Sequence, residues 1–214
     1  MAHSPHIVLL GDSIFDNIAY TSGQPDVIAH LRDLLPAGWR ATLLARDGAT
    51  TAGLTTQLAR VPEDASHLVI AIGGNDALAN LDLLSLPATS SAEVLNVFAE
   101  RAAAFEQAYR RAIGNALALE RTTAVCTVYN GALDHQRAAG ARVGLAIFND
   151  VILRTAIDLR VDALELRSIC TDQADYANPI EPSGQGGAKI ARGITILVGA
   201  VSTAGRPAHA WGRC

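Results

Sequence analysis

Five short apolar runs, at about 6–10, 40–45, 67–73, 122–129 and 161–166, are each followed by a longer helical stretch, at about 25–35, 51–60, 91–119, 140–160 and 184–201. Strict alternation of this kind leaves few ways to fold. Successive strands run parallel, and each helix carries the chain back across the sheet by a right-handed crossover. A run such as Leu68-Val69-Ile70-Ala71-Ile72 has no polar face, which suits a sheet covered on both sides. The longest helical stretch carries Val94, Leu95, Phe98, Ala102, Phe105, Tyr109 and Ile113 at helical spacing, the pattern of one core-facing stripe. The expectation is an α/β protein: a three-layer α/β/α sandwich around a five-stranded parallel sheet. One domain over residues 1–202 and an irregular, exposed tail over 203–214 complete it, and 214 residues suffice to bury a sizeable core.

The ends of the first three runs carry the chemistry. His6-Ile7-Val8-Leu9-Leu10 stops at Gly11-Asp12-Ser13, as a buried strand does when it delivers a hydroxyl to a strand-to-helix turn. The second run ends in Arg46-Asp47-Gly48-Ala49 and the third in Gly73-Gly74-Asn75-Asp76. In a parallel sheet all three ends lie on one edge. A serine, a glycine N–H and an asparagine amide then converge, which is what acyl transfer requires of a nucleophile and its oxyanion donors. Each residue also has a plainer use. Asp-Ser is an ordinary helix N-cap, Gly48 fits a left-handed turn, and Asn75 fits a cap. Asp12 reads as a residue that shapes its own turn. Gly73-Gly74 is followed by no P-loop lysine, so a phosphate loop is not supported.

With these three blocks in order, the chain resembles the SGNH hydrolases, the GDSL esterase/lipase superfamily. The resemblance implies the SGNH-hydrolase (flavodoxin-like) fold, with Ser13 as nucleophile and with the Gly48 N–H and the Asn75 side chain in the oxyanion hole. It also implies a base in a fourth block, Asp-x-x-His, ahead of the last helix. Here that block reads Asp175-Tyr176-Ala177-Asn178-Pro179-Ile180-Glu181-Pro182-Ser183. If Gly186, Ile190 and Ala191 belong to the last helix, Glu181 takes the place of the histidine and Asn178 that of the aspartate. The alternative register, Asp175 to Asn178, holds no histidine either.

The six histidines offer other candidate bases. His6 and His67 begin strands and belong to the opposite edge, His30 falls in a helix, and His3 is terminal. His135 follows the fourth run on the correct edge, and His209 lies in the tail. These two are the substitutes for Glu181. No metal-ligand spacing appears, and no cofactor is expected. Cys126, Cys170 and Cys214 form no Cys-x-x-Cys and read as free thiols of a reducing compartment.

A net charge of −4 without a basic stripe gives no support to nucleic-acid binding. No stretch has the length of a transmembrane segment. The first strand begins almost at once, without a signal-peptide pattern, which points to a cytoplasmic protein. The expected activity is that of a serine esterase or lipase acting on a small carboxylic ester. The alternative is a weak or inactive relative that binds a small ester or carbohydrate, favoured by the missing histidine.

Overall fold

A computed structural model describes residues 4–133, 135–200 and 210–211. Its central sheet contains β1 (His6–Gly11), β2 (Arg40–Leu43), β3 (His67–Ala71), β4 (Thr122–Cys126) and β5 (Asp162–Leu164), all parallel. A two-residue strand, β6 (Ala210–Trp211), pairs antiparallel with β5, giving the order β2-β1-β3-β4-β5-β6. At Ala210 and Trp211 the expected irregular tail is therefore an edge strand. A terminal segment beside an open sheet edge gains backbone hydrogen bonds by pairing.

The helices are α1 (Val27–Leu34), α2 (Leu54–Leu58), α3 (Gly74–Leu78), α4 (Ser91–Leu117), α5 (His135–Leu159) and α6 (Gly184–Leu197). Side chains alternate along β1. Ile7 and Leu9 join Val69, Ala71, Leu164 and the faces of α1 and α6, while Val8 and Leu10 join Leu68, Ile70 and the faces of α2, α4 and α5. The strands are apolar on both faces because both are covered, and the three-layer α/β/α sandwich follows. The order reverses at β1, whose neighbours β2 and β3 lead away on either side. That reversal is where open α/β sheets form their ligand crevice.

The stripe on α4 departs from expectation. Phe105, Tyr109 and Ile113 are buried, but Leu95 is 61% exposed. The cause is length. A helix of 27 residues spans about 40 Å, and a five-residue strand only about 17 Å. The first turns of α4 overshoot the carboxyl edge of the sheet, and Phe98 there lines a cavity instead of the core.

Gly11 closes β1 with φ of +131°, and a Cβ there would sit 1.7 Å from the Ala71 carbonyl oxygen. The side chain of Gln57 takes up both backbone groups of Gly11, accepting from its N–H at 2.7 Å and donating to its C=O at 2.8 Å. Gly11→Ala is expected to cost about 3 kcal/mol or more, combining overpacking with left-handed strain. Urea denaturation reads this directly, and a loss under about 1 kcal/mol contradicts the close approach.

Candidate functional site

The turn after β1 puts Asp12 and Ser13 at the carboxyl edge, where both are buried. The Ser13 hydroxyl donates to Glu181 Oε1 at 3.1 Å, across 168 residues of sequence. The register of the fourth block allows this pair as one outcome, beside a Glu181 that only bonds backbone amides or pairs with an arginine. Glu181 is held by its backbone. Its N–H donates to Asn178 Oδ1 at 3.0 Å and its C=O accepts from the Ala177 N–H at 2.9 Å. On either side, the Ile180 carbonyl accepts from the Tyr129 hydroxyl at 2.8 Å and the Pro182 carbonyl from Asn17 Nδ2 at 3.1 Å. Asn17 is itself fixed by the Val27 N–H, which donates to its Oδ1 at the start of α1. A carboxylate on a loop tied down this way keeps its direction with Ser13 as its one side-chain partner among the described residues.

Asn178 therefore shapes the turn and does not touch the Glu181 carboxylate. Asp175 serves elsewhere. It is fully buried, accepting from Lys189 Nζ at 2.8 Å and Gln185 Nε2 at 2.9 Å. Burial works against its charge, but these donors and the Asp172 N–H outweigh burial and hold its pKa low. Ser183 is an N-cap of α6, accepting from the Gly186 N–H at 3.2 Å.

Two carboxylates flank Ser13. Asp12 Oδ1 accepts from the Ile14 N–H at 3.1 Å, while Asp12 Oδ2 and Glu181 Oε2 are buried with no hydrogen-bond partner among the described residues. Burial, more than any neighbour, pushes the Asp12 pKa up to about 7, and the charges of Glu181 and Asp76 add to it. The Gly74 N–H favours the ionised form without reaching hydrogen-bond geometry. Burial also raises the Glu181 pKa, against the Ser13 hydrogen bond, which lowers it.

The loop after β2 is fastened over this edge. The Arg46 N–H donates to the Gly11 carbonyl, and the Asp47 N–H to Asp16 Oδ2 at 3.0 Å. Gly48 adopts φ of +76°, the left-handed conformation that favours glycine. Asn75 Nδ2 donates to the carbonyl of Ala49 at 2.9 Å, linking this loop to the end of β3. Asn75 thus sits inside the first turn of α3 rather than capping it. Among the described residues, the Ser13 and Gly48 N–H groups donate to no protein acceptor.

Ser13, Asn75, Asp12 and Glu181 open onto a cavity of about 1110 Å³. Its walls are mostly apolar and include Leu78, Leu81, Leu84, Phe98, Leu145 and Phe148. No Lys, Arg or His side chain lines it among the described residues.

The other candidate bases do not join the site within the described structure. His6 Nδ1 faces Asp64 at 3.0 Å and Nε2 faces Thr42 Oγ1 at 2.8 Å, at the amino edge. His67 Nδ1 lies 2.8 Å from Ser66 Oγ, also at that edge. His135 begins α5, but its side chain lies outside the described residues, as does all of His209. Cys126 and Cys170 are free and buried, while Cys214 is outside the described residues. Among the described residues there is no cluster of His, Cys, Asp or Glu suited to a metal, and no helix long and apolar enough to cross a membrane.

Comparison with known proteins adds three findings. The model of the GDSL-like lipase/acylhydrolase family matches residues 9–188. No curated protein sequence matches the chain. Solved structures match closely in shape at low identity. A catalytic mutant of an acetylxylan esterase from Geobacillus stearothermophilus aligns with TM-score 0.69 at 15% identity, over 95% of this chain and 99% of the other. A phospholipase A1 from Streptomyces albidoflavus gives 0.68 at 15%, over 90% and 98%. An extracellular lipase from Streptomyces rimosus gives 0.66 at 18%, over 90% and 99%.

Proposed function

The chain belongs to the GDSL-like lipase/acylhydrolase family, and on that premise we propose that it hydrolyses a small carboxylic ester through an acyl-Ser13 intermediate, with Glu181 as general base. The observation that carries this reading is the 3.1 Å hydrogen bond from Ser13 Oγ to Glu181 Oε1 at the head of the cavity. Within it, Ser13 Oγ attacks the ester carbonyl carbon as its proton passes to Glu181. The carbonyl π electrons move onto oxygen, facing the Ser13 and Gly48 N–H groups and the Asn75 amide. Collapse expels the alkoxide, which takes the proton back from Glu181. Water then attacks the acyl-serine with Glu181 again accepting a proton, and the carboxylic acid departs as Ser13 Oγ regains its own.

A fluorophosphonate probe tests the assignment. The adduct, located by mass spectrometry, is expected on Ser13. An adduct on another serine with Ser13 free overturns it. The lack of a histidine in the fourth block of the sequence, residues 172–188, favours a second reading, a binding protein without turnover. That reading holds if no ester is hydrolysed and Ser13 stays unlabelled.

Asn75→Ala is expected to lower kcat by about 10²–10³-fold, roughly 2.7–4 kcal/mol, with KM little changed. Asn75 also holds the Ala49 carbonyl, so a stability loss of about 1 kcal/mol should accompany the kinetic one. Steady-state kinetics beside a melting curve separates them. A large drop in Tm with kcat intact makes Asn75 structural only.

A further inference from the structure

Two carboxylates line the cavity beside Ser13, and three more sit on the segments next to them. The first two are Asp12 and Glu181. Asp16 accepts from the Asp47 N–H, Asp47 accepts from the Tyr20 hydroxyl at 2.6 Å, and Asp76 accepts from the N–H and hydroxyl of Thr51 at 2.9 Å each. Among the described residues none of the five forms an ion pair; the ion pairs there all lie elsewhere. Arg46, on the same loop as Asp47, pairs with none of them. The charges are close enough to act on one another. Asp47 raises the pKa of Glu181, and Glu181 and Asp76 raise that of Asp12.

Uncompensated carboxylates in one crevice repel one another and cost stability. The cost is steepest for the two buried oxygens, Asp12 Oδ2 and Glu181 Oε2, which lack any partner among the described residues. Both belong to groups that are less than a tenth exposed and that face the cavity beside Ser13. The rings of Tyr20 and Tyr129 line the same end, and aromatic faces also attract cations.

We propose that this site takes esters whose alcohol carries a cationic centre, a quaternary ammonium or protonated amine, a few bonds from the ester oxygen. The proposal rests on the hydrolase reading above and names its substrate class. The cation occupies the carboxylate end, where it supplies the charge the protein omits. The acyl chain extends along Leu78, Leu81, Leu84, Phe98 and Phe148. An anionic ester meets repulsion at the same place and is a poor substrate.

Two measurements test this independently. In the first, butyrylcholine is compared with 3,3-dimethylbutyl butyrate, its neutral carbon isostere, and with the butyryl ester of glycolate. The choline ester is expected to show kcat/KM about tenfold or more above the isostere at low salt, with the glycolate ester below both. The preference should shrink as salt screens the field. Asp47→Asn, which keeps an acceptor for Tyr20 and removes one charge, should cut the ratio of choline ester to neutral isostere about threefold, both esters being measured on the same variant. In the second, calorimetry follows the binding of choline and of 3,3-dimethylbutanol. Choline is expected to bind and the neutral alcohol to bind at least about tenfold more weakly. Equal turnover of the two esters, or equal binding of the two alcohols, overturns the proposal and leaves the hydrolase reading intact. Choline binding without turnover or Ser13 labelling overturns the hydrolase reading instead.

Discussion

Ser13→Ala is expected to lower kcat by about 10⁴–10⁶-fold and to abolish fluorophosphonate labelling, with the fold intact. The size follows from the covalent route. Without Oγ no acyl-enzyme forms, and only binding and the oxyanion donors remain to assist water. The cost to folding should be small. The lost hydroxyl makes one hydrogen bond, to Glu181, and losing a single bond of this kind costs about 1 kcal/mol. Kinetics with a saturating ester and a melting curve decide the matter. A variant retaining more than about a hundredth of wild-type kcat would place the nucleophile elsewhere.

Glu181→Gln comes next in size, with an expected loss of about 10²–10⁴ in kcat, the usual contribution of a positioned general base. The substitution keeps the shape and the loop that Tyr129, Asn17 and Asn178 hold, and removes the basic lone pair. The pH profile gives the sign. A base works when deprotonated, so kcat/KM should fall as pH drops through the Glu181 pKa, which burial raises above the ordinary glutamate value. Asp12, with a pKa of about 7, titrates beside it. The acid limb of wild type therefore belongs to the pair rather than to one residue. In Glu181→Gln the Glu181 inflection disappears, while that of Asp12 shifts downward, one negative neighbour being gone. Full activity in Glu181→Gln passes the role of base to His135 or His209, each then tested by its own alanine variant.

What the sequence made legible was what local pattern carries. The apolar runs placed the strands, and their endings placed Ser13, Gly48 and Asn75 on one edge. The register from Gly186, Ile190 and Ala191 put Glu181 within reach of Ser13. Contacts that exist only after distant segments meet were not legible. Asn17, Tyr129 and Gln57 are buried polar residues whose partners are backbone groups 165, 51 and 46 residues away, and no periodicity marks them. A sequence hint existed for Asn17, a polar residue close behind Gly11-Asp12-Ser13 within an apolar turn. The short α3 escaped notice because five residues carry no amphipathic period, and the overshoot of α4 depends on how long the neighbouring strands turn out to be. The fourth block shows the reverse case. The residue at the place of the usual histidine was readable, but the way its direction is fixed, by hydrogen bonds to the backbone of residues 180–182 rather than by a third side chain on its carboxylate, was not.

The bond between Ser13 and Glu181 spans 168 residues, and this has a consequence for biogenesis. Ser13 leaves the ribosome 168 residues ahead of Glu181, its proposed base. The first three strands can assemble an oxyanion cradle around Ser13 while the last helix is still unmade. Closing a contact of such separation is among the slowest steps available to a domain. On the proposed mechanism, the Ser13 hydroxyl lacks its Glu181 acceptor until α6 docks on α1, and hydrolytic competence switches on only with that contact. The appearance of turnover during refolding, timed against the recovery of sheet structure, would report when that final piece arrives.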